Sequence, residues 1–65
     1  MNLINYYGKR VKIIADNNSV FYGTVNDYIY PEDNEEGKES IIVDTSDGSA
    51  IEFYEEHIKA IEITK

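Results

Sequence analysis

The sequence predicts a single all-β domain, built as a small, strongly bent five-stranded barrel. Three observations carry this expectation: a dominant hydrophobic period of two, turn-forming clusters at short intervals, and a glycine inside the second strand pattern. At 65 residues the chain makes one domain, 1–65.

Val11, Ile13 and Ala15 alternate with Arg10, Lys12 and Ile14, as in a strand with one buried face. Asp16-Asn17-Asn18-Ser19 is a turn cluster. Asn17-Asn18-Ser19 also has glycosylation-acceptor spacing, which reads only as a turn without a secretion signal. In the next run Phe21, Gly23 and Val25 share one face, opposite Tyr22, Thr24 and Asn26. Gly23 is where the strand can bend sharply or approach another backbone. The run continues to Tyr28 or Tyr30, and Pro31 ends it.

Pro31–Ser40 holds five carboxylates and one lysine and reads as an exposed loop. Ile41-Ile42-Val43 is the third strand. Asp47-Gly48 then signals a hairpin into the fourth, where Ile51 and Phe53 alternate with Glu52 and Tyr54. Glu55-Glu56-His57 makes a tight turn, and Ile58, Ile61 and Ile63 carry the fifth strand. At the N-terminus Leu3, Ile4 and Tyr7 can form one helical turn on a barrel end, the alternative being a frayed tail.

The balance of 13 acidic against 6 basic residues gives a net charge of −7, which disfavours nonspecific binding to nucleic acid or anionic membrane. No apolar run is long enough to span a bilayer, and no basic leader precedes an apolar segment, so the expected location is the cytoplasm. There is no cysteine, hence no disulfide or thiolate-held metal, and a domain this small gains stability from a closed core or from self-association.

Gly8-Lys9-Arg10-Val11-Lys12-Ile13, then Phe21-Tyr22-Gly23-Thr24-Val25, then Ile51-Glu52-Phe53-Tyr54 with Ile58-Lys59-Ala60-Ile61, resembles the Sm-like (LSM) small β-barrel family over nearly the whole chain after residue 7. It looks most like the short acidic Sm-like proteins of Gram-positive bacteria and their mobile elements; other SH3-like barrels share the strand count. The resemblance implies rings in which the fourth strand of one subunit pairs with the fifth of the next, making Ile51, Phe53, Ile58 and Ile61 the subunit-pairing edges. The family's RNA-binding signatures carry over poorly. Its Asp position falls at Ile29, its Met-Asn pair at Glu32 and Asp33 (or, with a shifted loop, reaching Asn34), and its Ile-Arg-Gly reads Phe53-Tyr54-Glu55. Each change removes an attraction for phosphate or adds a repulsion.

Six tyrosines are many for this length. They suit the half-buried surface of a small barrel, or they form a recognition surface, for which Tyr22, Tyr28, Tyr30 and Tyr54 are the candidates. Lys9, Arg10 and Lys12 read as a solvated strand face. The Glu32–Glu39 loop lacks calcium-loop spacing, and His57 has no second histidine or nucleophile beside it. No catalytic, metal or cofactor site is expected. The expected function is that of a non-catalytic, self-assembling interaction module with a protein partner. The alternatives are an RNA-binding protein that stacks bases on tyrosines and an accessory subunit of an enzyme complex.

Overall fold

A computed structural model describes residues 1–64. Five antiparallel strands form one sheet: β1 (Arg10–Ala15), β2 (Val20–Ile29), β3 (Ser40–Thr45), β4 (Ala50–Tyr54) and β5 (Ile58–Ile63). Their order across the sheet is β4-β3-β2-β1-β5. A flat sheet is about 10 Å thick. The molecule measures 30 × 24 × 20 Å, so the sheet has wrapped round its own apolar side. It forms an open barrel, with β4 and β5 at its two ends and not hydrogen-bonded to each other.

β2 makes this possible, being the longest strand and the one that changes partner along its length. Its first half pairs with β1, from Val20 opposite Ile14 to Thr24 opposite Arg10. Its second half pairs with β3, from Gly23 opposite Thr45 to Ile29 opposite Ser40. Gly23 lies where the halves overlap. A Cβ there would collide with the Asp44 carbonyl oxygen and sit 2.8 Å from Val43 Cγ1. Its lack of a side chain lets β3 pass close by, as the sequence predicts for a corner.

Both tight hairpin turns have one build. In the first, Ala15 N–H donates to the Ser19 carbonyl (2.9 Å) and Asn18 takes φ 69°. In the second, Thr45 N–H donates to the Ser49 carbonyl (2.8 Å) and Gly48 takes φ 91°. Asparagine and glycine are the residues that enter this left-handed region at least expense.

The core is Leu3, Val11, Ile13, Val25, Ile41 and Val43, all fully buried, with Phe53 and Ile58 beside them. Leu3 belongs to an N-terminal 3-10 turn, Leu3–Tyr6, which caps one barrel end as expected, but only Leu3 is buried and Tyr6 packs beside it, while Ile4 and Tyr7 are exposed. The Glu55–His57 turn is also 3-10 and links β4 to β5. No helix among the described residues is long and apolar enough to cross a membrane.

Two readings of the sequence need correction. Ser40 is not the end of an exposed loop but the first residue of β3, and it is wholly buried. Its hydroxyl donates to Glu52 Oε2 (2.7 Å) and accepts from Asn34 Nδ2 (3.0 Å). Asn34 also donates to the Lys38 carbonyl (2.7 Å), which folds the acidic segment back onto the sheet behind a 3-10 turn at Pro31–Asp33. The second correction concerns Tyr28. Strict alternation puts it on the face of Tyr22, but the β2–β3 register shifts between Val25 and Asp27. This bulge at Asn26 reverses the parity, so Tyr28 pairs with Ile41 and packs against the core.

Candidate functional site

The strand order leaves two free backbone edges, the outer sides of β4 and β5. β4 pairs only with β3, and β5 only with β1. The four residues expected at these edges divide in two. Phe53 and Ile58 are buried in the core, with Phe53 edge-on to Phe21 at 5.2 Å between ring centroids. Ile51 and Ile61 are half-buried and packed against the core's margin. Ile63, which shares the inward face of β5 with Ile61, is 55% exposed. The open side of the barrel thus carries unpaired strand backbone next to incompletely covered aliphatic side chains, the combination that invites strand addition.

The four candidate tyrosines do not form one surface. Tyr22 stands on the outer face of β2 beside Lys12 and is 51% exposed. Tyr54 ends β4, half-buried, with its ring 6.2 Å from that of His57. Its phenol pKa is raised, first by desolvation and then by Glu52, Glu36 and Glu35. Tyr28 and Tyr30 are the pair brought together, in a T-shaped contact at 5.0 Å.

Around that pair lies a shallow groove of about 210 Å³, whose other walls are Ile4, Tyr7 and Asp27. The N-terminal 3-10 turn and its following residue supply Ile4 and Tyr7, and β2 supplies the rest. Two backbone bonds hold the walls together: Gly8 N–H to the Val25 carbonyl (2.8 Å) and Val25 N–H to the Lys9 carbonyl (2.9 Å). The Tyr28 hydroxyl donates to Glu39 Oε1 (2.7 Å). That bond raises the Tyr28 pKa to about 12, with burial and the charges of Glu39 and Glu32 acting in the same direction. The negative charge beside the phenol opposes making it a phenolate.

Ile4, Tyr7 and Asp27 were not among the candidates. The helical spacing at the N-terminus was a usable signal for Ile4 and Tyr7. Asp27 joins Tyr28 only because of the bulge, which no residue pattern announces.

A second cleft, of about 310 Å³, runs beside β4 and places His57 with Asp16 and Glu52 over Phe21 and Phe53. It holds two carboxylates and an imidazole, with no serine, threonine, cysteine or lysine in its lining. Among the described residues no three His, Cys, Asp or Glu side chains converge as metal ligands. Compared with protein-family models, with curated proteins and with solved structures, the chain matches none.

Proposed function

We propose that this chain is a non-catalytic interaction module of Sm-like build, which assembles with copies of itself and binds a protein partner in the cytoplasm. One observation carries the assembly: the sheet β4-β3-β2-β1-β5 ends in two different edge strands, each paired on one side only. Joining β4 of one copy to β5 of the next is a head-to-tail contact, which closes into a ring when the rotation permits. It would cover Ile51, Ile61 and Ile63 and pair the free backbone of both strands.

Sedimentation velocity over a range of concentrations tests the assembly. The expected result is a mass several times that of one chain, reduced to the monomer by Ile63→Glu, which places a charge on the exposed margin of β5. A clean monomer at high concentration refutes the assembly.

A nucleic-acid partner is the second reading, favoured by the exposed rings of Tyr7 and Tyr30. Against it stands Asp27 in the same groove, and Glu32 and Glu39 acting on the adjoining phenol. Phosphate would meet repulsion there. Salt-sensitive binding of short RNAs, lost on Tyr30→Ala, would replace the protein reading with this one.

A further inference from the structure

We infer that the groove between the N-terminal 3-10 turn and the end of β2 holds an arginine side chain presented by an extended, cationic segment of a partner protein. This rests on reading the chain as a protein-binding module, but not on its self-assembly, because the groove lies apart from β4 and β5.

The first argument is size. Pockets for drug-sized ligands and cofactors occupy about 300–1,000 Å³ and enclose what they bind. This groove has about 210 Å³ and is shallow, which suits one long side chain with its backbone outside.

The second argument is the pairing of ring and charge. Tyr7 is 57% and Tyr30 51% exposed, so much of both side chains is open to a ligand. A guanidinium stacks on tyrosine and binds carboxylate with the same planar group. Asp27 supplies the carboxylate. Its Oδ1 accepts from the Tyr28 N–H (2.8 Å), which orients the group, and it forms no ion pair among the described residues. Ile4 gives the arginine stem an apolar wall.

The third argument is complementarity. No lysine or arginine lines the groove, Glu32 and Glu39 bear on its Tyr28 wall, and the chain carries a net charge of −7. The field there attracts cations and repels phosphate. The groove is also preformed. The Gly8–Val25 and Val25–Lys9 bonds fix its two walls, and the Tyr28–Glu39 bond holds one ring in place. Binding then loses little entropy to ordering the protein.

The test uses the full chain, labelled with nitrogen-15, titrated at low salt with three probes. These are an acetylated Gly-Arg-Gly-Arg-Gly amide, its lysine counterpart, and a short oligouridylate. The arginine peptide is expected to bind saturably, shifting amides of Ile4, Tyr7, Asp27, Tyr28 and Tyr30, with the lysine peptide several-fold weaker. Tyr30→Ala and Asp27→Asn should each weaken it roughly five- to tenfold, while Tyr22→Ala, an exposed tyrosine outside the groove, changes nothing. Tyr7→Ala serves as the replacement if circular dichroism shows Tyr30→Ala unfolded.

No saturable binding overturns the inference, as does affinity unchanged by Tyr30→Ala and Asp27→Asn together. Occupation of the groove by oligouridylate rather than peptide also overturns it. Repeating the titration on Ile63→Glu separates the two proposals. Peptide binding by monomeric Ile63→Glu shows the groove working without assembly. A parent chain that binds peptide as a clean monomer refutes assembly alone, and an assembled parent that ignores the peptide overturns the groove alone.

Discussion

Replacing Gly23 by alanine tests the bent strand on which the fold depends. The added Cβ would collide with the Asp44 carbonyl oxygen and lie 2.8 Å from Val43 Cγ1 and 2.9 Å from the Asp44 carbonyl carbon. Two of these three atoms are backbone, so no rotamer change relieves the contact, and β3 must move away from β2. Overpacking of this kind costs about 1–3 kcal/mol. The alanine recovers about 0.4–1 kcal/mol by restricting the unfolded chain. The net loss is therefore up to about 2.6 kcal/mol. At this chain length that lowers Tm by as much as roughly 20 °C. Thermal melts by circular dichroism check it, at one fixed protein concentration because assembly alters Tm. Gly48→Asn is the comparison. Nothing lies within 4 Å of a Cβ at Gly48, and asparagine tolerates its φ of 91°, so the loss there should be smaller. A Gly23→Ala protein melting at or above the parent temperature would refute the close-approach argument.

The docked N-terminal turn predicts that Leu3→Ala, at a fully buried position, destabilises by about 2–5 kcal/mol in urea unfolding. A frayed segment would give no change. The Tyr28–Glu39 bond predicts an alkaline limit to stability. The folded phenol holds its proton up to about pH 12 against a reference of 10.0, so the unfolded state loses its proton first. Stability is full below pH 10 and falls between there and about 12. Glu39→Gln should lower the Tyr28 pKa and flatten that decline, as followed by ultraviolet titration together with unfolding. An unchanged titration curve would show that Glu39 does not hold the phenol.

Most of the fold was legible because its signals are local. Val11, Ile13 and Ala15 alternate within β1 and are buried. Asn18 and Gly48 stand where left-handed backbone is required. Pro31 follows the end of β2. The misread features are non-local. Ser40 looked like loop because its burial depends on Asn34 folding over it and Glu52 accepting its hydrogen bond. The tyrosine surface was misjudged because a single extra residue, Asn26, moves Tyr28 from one face to the other. Periodicity counts residues along one strand, whereas a bulge is defined by the partner strand.

That extra residue also explains why the groove and the barrel corner occur together. Past Gly23 and Thr24, β2 no longer pairs with β1, and its backbone on that side needs other partners. Val25 finds them in Gly8 and Lys9, so the N-terminal segment takes the place that β1 has vacated. The same segment carries Leu3 into the core and leaves Tyr7 outside. Immediately afterwards the bulge reverses the parity. Asn26 is anchored to Asp44 (2.5 Å), Asp27 points outward, and Tyr28 turns inward against Ile41. Without the bulge, Asp27 would face the core and Tyr28 the solvent. A carboxylate buried without a partner is far costlier than an exposed ring, so the bulged register is the stable one. The groove therefore follows from how this strand changes partners, with its acid and its rings held in place by the bonds that cap the barrel.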